Sequence, residues 1–187
     1  MKKSLLIIGL VFLSQQVIGQ SKGTSELSFG LGFETSNEFL NTVEDIIDDT
    51  SYANTKVSPA YILTYKRAIA DRWFLFADGS YQSVKEDVIQ GELTIGDVST
   101  TYLTFGFGTD YHYISKDWFQ MYSGASVAYT SQSSNFTTSA DIDDENDGYF
   151  NYHLTALGFR FGRALGAFVE LGVGYRGFGA AGVSYQF

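Results

Sequence analysis

The chain has 187 residues, no cysteine, one proline and 17% aromatic side chains, and its 21 Asp and Glu against 12 Lys and Arg give a net charge of −9. That length makes one domain, and the lack of Cys excludes disulfides, a thiolate metal centre and a lipid-attachment cysteine. The acidic balance argues against nucleic acid as a partner, while many aromatics with almost no proline favour strands over helices or disorder.

Residues 1–19 read as a cleaved export signal. Lys2 and Lys3 give a positive start, residues 4–13 an apolar run, and Val17, Ile18 and Gly19 a cleavage site before Gln20. The run is too short to span a bilayer and is cut off by Ser14, Gln15 and Gln16. Cleavage leaves residues 20–187 as the domain, with ten basic against 21 acidic side chains and a net charge of −11. No stretch of about eighteen apolar residues follows, so no transmembrane helix is expected.

A first strand is expected over residues 24–35, where Leu27, Phe29, Leu31 and Phe33 alternate with Ser28, Gly30, Gly32 and Glu34. Residues 36–56 form a polar link with Glu38, Glu44, Asp45, Asp48 and Asp49, and residues 39–47 have some helical periodicity. The second strand, over 57–68, sets Tyr61, Leu63 and Tyr65 against Ala60, Thr64 and Lys66. After a tight turn at 70–72, a third strand sets Trp73, Leu75, Ala77 and Tyr81 against Phe74, Phe76, Asp78, Ser80 and Gln82.

A long link over 85–97 leads to a fourth strand over 98–114, with Leu103, Phe105, Phe107 and Tyr111 opposed to Thr104, Gly106, Gly108, Asp110 and His112. Past the turn at 115–117, a fifth strand over 118–131 sets Phe119, Met121, Val127 and Tyr129 against Gln120, Gly124 and Ser126. The third long link, 132–147, holds Asp141, Asp143, Asp144, Glu145 and Asp147. The sixth strand, over 149–161, opposes Leu157, Phe159 and Phe161 to Ala156, Gly158 and Arg160. The seventh opposes Val169, Leu171, Val173 and Tyr175 to Glu170, Gly172, Gly174 and Arg176. A brief link at 176–179 precedes the last strand, in which Val183, Tyr185 and Phe187 alternate with Gly182, Ser184 and Gln186.

Links that alternate long and short, with the acidic ones at one end, predict an all-β, eight-stranded antiparallel up-and-down transmembrane β-barrel closed by its first and last strands. A soluble barrel alternates too, but its outside would be dense in Lys and Glu. Here the polar face is rich in Gly, Ser, Ala and Thr, as a narrow interior requires. The charges on it, Glu26, Lys66, Asp78, Asp110, Arg160, Glu170 and Arg176, must then pair in a plugged lumen. Tyr61, Trp73, Tyr81, Tyr113, Trp118, Tyr129 and Tyr175, near strand ends, suit interfacial belts.

Over nearly its full mature length the chain resembles the small eight-stranded outer-membrane barrels of the OmpX type and the OmpA membrane domain. Residues 182–187 resemble the C-terminal signal of that class, with Ala180 departing from the usual polar residue. The resemblance implies the outer membrane of a Gram-negative bacterium, contact with its lipid and lipopolysaccharide, and the barrel-assembly machinery as a partner of the C-terminal strand. With Phe187 last in the sequence, the peptidoglycan-binding domain of full-length OmpA-type proteins is not expected.

No residue is expected to carry catalysis, a cofactor or a metal. Gly172, Gly174 and Gly177 match a dinucleotide fingerprint but without the strand-to-helix context it needs. Asp143, Glu145, Asp147 and Gly148 resemble half of a calcium loop whose twelfth position, Leu154, has no carboxylate. His153 and Thr155 can be compared with the His-x-Ser of barrel lipid A deacylases, but Thr replaces Ser and Glu170 lies toward the other end. The expected role is therefore non-enzymatic: acidic external loops 36–56, 85–97 and 132–147 for surface contact with a protein partner, envelope integrity or assembly with a larger complex. A narrow pore or hydrophobic-solute conduit of the OmpW kind is the second expectation.

Overall fold

The computed structural model describes residues 22–37, 51–90, 93–138 and 145–187. The expected export signal at 1–19, the helical periodicity at 39–47 and the acidic residues Asp141, Asp143 and Asp144 lie outside the described residues.

The strands are β1 (Ser25–Phe33), β2 (Ser51–Val57), β3 (Ala60–Ala70), β4 (Trp73–Gln90), β5 (Leu93–Ser115), β6 (Phe119–Thr138), β7 (Glu145–Gly162), β8 (Leu165–Gly174) and β9 (Gly179–Gln186). Eight of them close in the order β4, β3, β1, β9, β8, β7, β6, β5 and back to β4, antiparallel throughout. β2 pairs with β4 above β3, so β2 and β3 are one line of chain broken at Ser58 and Pro59. Proline has no N–H to give a ladder, and the Ser58 N–H and hydroxyl bridge the gap to Ser83. β1 and β9 pair from Glu26 with Gln186 to Phe33 with Gly179, which leaves the barrel no open seam.

Burial is inverted relative to a soluble protein. Arg160, Arg176 and Glu170 are among the largest fully buried side chains, whereas Phe105, Phe107, Val127 and Val183 are more than half exposed. Among the described residues the buried apolar cluster is Ala60, Ile62 and Ala180. Outward aromatics gather toward both ends of the wall: Trp73, Tyr111, Trp118, Phe161 and Phe187 toward the tight turns, and Tyr61, Tyr81, Tyr129, Phe150 and Phe178 toward the other.

The structure corrects the strand plan in three places. The links at 85–97 and 132–147 are largely strand, since β4 and β5 pair out to Gln90 and Leu93 and β6 and β7 out to Ser134 and Glu145; part of 36–56 is β2. Ala156 faces outward, because it bulges out of the β7 ladder between Thr155 and Leu157. Tyr175 is buried rather than in a belt, because Gly174 takes a φ of 133° and ends the alternation before it.

Candidate functional site

Inside the wall, every charge predicted for the lumen is buried, and all seven are ion-paired. Three layers can be followed from the tight-turn end upward.

In the lowest layer Arg160 (β7) lies 3.1 Å from Glu26 (β1) and donates from Nε to the Ser184 hydroxyl at 2.7 Å. Its other nitrogens donate to the carbonyls of Gly162, Arg163 and Ala164 and so brace the β7–β8 turn. Gln186 donates to Glu26 at 2.6 Å and pairs with the amide of Gln120. A planar guanidinium with several fixed donors can satisfy a carboxylate, a hydroxyl and a turn together, which a lysine cannot.

The middle layer holds most of the charge. Lys66 (β3) donates to Asp110 (β5) at 2.6 Å and lies 3.6 Å from Glu170 (β8) and 4.5 Å from the Tyr122 ring centre. Tyr122 donates to Glu170 at 2.7 Å. Arg176 enters from the β8–β9 connection, with Nη2 2.9 Å from Glu170 Oε2 and Nε 3.6 Å from Asp78. The Glu170 oxygen lacks the alignment of a hydrogen bond, so this contact is an ion pair in distance only. Beside it the Tyr175 hydroxyl bonds Asp78 and lies 3.0 Å from the Ser126 hydroxyl. His112 is stacked between Phe74 at 4.2 Å and Tyr122 at 4.8 Å, and His153 meets the edge of Tyr175.

Neutral groups meet at the mouth. Glu34 adopts a left-handed φ of 53° and turns the chain after β1 inward, which buries Thr35 and Asn37. Thr35 donates to Gln82 at 2.8 Å, while Asn37 accepts from Tyr149 at 2.9 Å and Asn151 at 3.2 Å. Gln82 in turn donates to the Ser58 carbonyl at the break between β2 and β3.

These layers set bonded or ion-paired side chains across the bore at the tight-turn end, the middle and the mouth. An open depression of about 520 Å³ does exist, but Leu75, Phe107, Val127, Tyr152 and Leu154 line it, which places it on the outer wall. Just below it, bulges at Tyr113, Ser123 and Ala156 interrupt three neighbouring ladders. The Tyr113 hydroxyl donates to the Tyr122 carbonyl at 3.1 Å, and the Ser123 hydroxyl to the Ala156 carbonyl at 2.6 Å. Two side chains thus satisfy backbone acceptors that the bulges release on an apolar wall, where water cannot.

The weak motifs separate in space. His153 and Thr155 are buried and face the lumen, away from the outer wall that an acyl chain could reach. Glu170 is engaged by Arg176, Lys66 and Tyr122. Gly172, Gly174 and Gly177 lie on β8 and its exit, with no helix to follow. Asp147 accepts from the Gly148 N–H, Leu154 points outward, and no cluster able to hold a metal occurs among the described residues.

Sequence reasoning missed Tyr122, Tyr175, Asn37 and Asn151 as parts of the plug. One signal was available: the Tyr175-Arg176 pair is flanked by Gly174 and Gly177, both at positive φ, as a two-residue tuck requires.

No family model matches the sequence, and no curated protein does. Solved structures do share the fold. Ail, the attachment invasion locus protein of Yersinia pestis, in complex with the heparin analogue sucrose octasulfate, gives a TM-score of 0.51 at 13% identity, covering 89% of this chain and 99% of Ail. A second structure of Ail gives 0.50 at 14% identity with the same coverage. The N-terminal β-barrel domain of Pseudomonas aeruginosa OprF gives 0.48 at 12% identity, covering 89% of this chain and 98% of that domain. The fold is that of the small eight-stranded outer-membrane β-barrels.

Proposed function

We propose that this chain is an outer-membrane β-barrel of a Gram-negative bacterium that neither catalyses nor conducts, and that its raised sheet meets a protein partner outside the cell. The inequality of the strands carries this reading. β1, β3, β8 and β9 have 9, 11, 10 and 8 residues, about what a tilted strand needs to cross a bilayer. β4, β5, β6 and β7 have 18, 23, 20 and 18, so they stand above the barrel by up to roughly 40 Å of strand at about 3.3 Å per residue.

Together with β2 they form a sheet whose outer end has left the barrel and has two edges. Among the described residues no strand pairs with β7 on its β8 side before His153. An exposed edge offers a row of backbone donors and acceptors to an added strand, and that favours a protein partner over a small solute. The acidic segments at this end, including the exposed Asp97 and Asp147, favour a cationic partner surface. A sulfated polysaccharide such as the heparin analogue held by Ail is disfavoured on the same ground.

The network across the lumen supports a closed barrel over a pore, and the lumen position of His153 and Thr155 supports a non-catalytic role. The outward Tyr185 and Phe187 at the end of β9 fit recognition by an assembly machinery, and the apolar wall fits contact with lipid and lipopolysaccharide.

Three measurements test the reading. The chain has no native cysteine, so nitroxides at Phe107→Cys and Val173→Cys report without background, and both should be quenched by lipid-soluble rather than water-soluble agents. Planar bilayers should show no steady channel; regular conductance overturns the closed lumen. A photoreactive residue at Asn146 should give a discrete cross-linked product in intact cells, and the same residue at Leu171 none; equal yields from both overturn the edge as the contact.

A further inference from the structure

We infer that the tight-turn end of the barrel is a ring of cations that holds the anionic headgroups of phospholipids in the leaflet around it. This rests on the membrane reading above and adds a partner that it does not name.

The ring is built from all three tight turns and the approach to β1. Arg72 lies in the β3–β4 turn, Lys116 in the β5–β6 turn and Arg163 in the β7–β8 turn. Arg67 points outward near the end of β3. Lys22 is held beside β3 because Gly23 N donates to Ala68 O at 3.0 Å and Ala68 N to Thr24 O at 2.9 Å. Lys22, Arg67, Lys116 and Arg163 are exposed and Arg72 is half-buried. Asp71 and Asp117 are the acids of these turns, and among the described residues no ion pair joins either to the five cations.

The other cations are placed elsewhere. Lys66, Arg160 and Arg176 are consumed in the lumen, and Lys56 and Lys85 stand at the hairpin end among Glu86, Asp97 and Asp147. Charge is therefore separated along the barrel axis in a chain that is acidic as a whole. Arg72, Lys116 and Arg163 lie in the turns beyond Trp73, Tyr111 and Phe161, and Arg67, paired with Leu75, stands just to the wall side of Trp73; headgroup phosphates lie at and beyond such an interfacial belt, within reach of long basic side chains. Basic side chains at that depth attract anionic lipid, and the attraction is screened by salt.

The test is electron spin resonance of the processed protein in dioleoylphosphatidylcholine vesicles, with spin-labelled phosphatidylglycerol or phosphatidylcholine as the probe. At low salt the protein-restricted component should favour phosphatidylglycerol by about threefold or more, and about 0.5 M salt should bring the two lipids close to parity. Replacing Lys22, Arg67, Arg72, Lys116 and Arg163 with Gln should abolish the preference, whereas Lys56→Gln with Lys85→Gln should keep it. If the fivefold variant does not fold, the salt series on the unaltered protein decides. A restricted component with no preference, or a preference that survives salt or the fivefold change, overturns this inference alone; no restricted component with either lipid overturns the membrane reading as well.

Discussion

Tyr175 donates its phenolic hydrogen to Asp78, with the hydroxyl 2.8 and 2.9 Å from the two carboxylate oxygens, from a segment that has left the barrel wall. Asp78 is otherwise served by Arg176 at 3.6 Å, a long contact. The tuck of Tyr175 and Arg176 between two glycines therefore fixes the β8–β9 connection and brings a hydroxyl donor and a second cation to a centre where Lys66 and Arg176 face Asp78, Asp110 and Glu170.

Tyr175→Phe keeps the ring and removes that donor. An ionised group buried with one partner lost should cost about 1–3 kcal/mol. The check is the urea midpoint of the refolded barrel, followed by the fluorescence of Trp73 and Trp118. An unchanged midpoint would show that Arg176 suffices for Asp78.

Close packing against the network predicts a contrast among three glycines. A Cβ at Gly106 would lie 2.2 Å from the Tyr175 hydroxyl, and one at Gly124 would lie 2.0 Å from Asp110 Oδ1 and 2.8 Å from a backbone oxygen. At Gly79 the nearest atom would be 3.6 Å away. Gly106→Ala and Gly124→Ala should each destabilise by about 1–3 kcal/mol, as overpacking does, and Gly79→Ala should be nearly neutral in the same urea series.

Lys66 pairs with two carboxylates at once, Asp110 at 2.6 Å and Glu170 at 3.6 Å. Lys66→Met leaves Asp110 buried without its partner and should cost about 3–5 kcal/mol. Pairing it with Asp110→Leu should recover part of the loss, because the uncompensated charge is gone. A double-mutant cycle that is simply additive would mean that the pair is not coupled.

On the outer wall, Tyr113→Phe and Ser123→Ala leave the Tyr122 and Ala156 carbonyls without their hydroxyl donors. Each should cost about 1 kcal/mol and speed amide hydrogen exchange locally in β6 and β7. The effect should be larger in a bilayer than in a detergent that admits water to the bulges, which comparison of the two media will show.

The alternation of Phe29 with Ser28 and of Phe107 with Gly108 was legible residue by residue, because a pleated strand sends neighbours to opposite faces whatever it pairs with. The closure of Leu27 onto Tyr185 was legible for a related reason: a sheet with apolar groups on one face cannot leave an edge open at either end. The raised parts of β4 to β7 were not. Stretches such as residues 85–87 and 132–135 carry charges, amides and hydroxyls in place of an apolar face, so a strand standing in water reads like a loop.

The composition and period of this chain determined that it forms an eight-stranded barrel with ionic groups inside, since charged side chains cannot face a greasy exterior. Only the tertiary structure decided which charge meets which. Lys66 and Asp110 are 44 residues apart and Tyr175 and Asp78 are 97, so their meeting depends on strand register, on the bulges at Tyr113, Ser123 and Ala156, and on the turn of Gly174. A bulge or a left-handed glycine shifts which side chain faces inward without altering the local pattern of residues, and that is why Ala156 and Tyr175 stand on the faces opposite to those their sequence suggests.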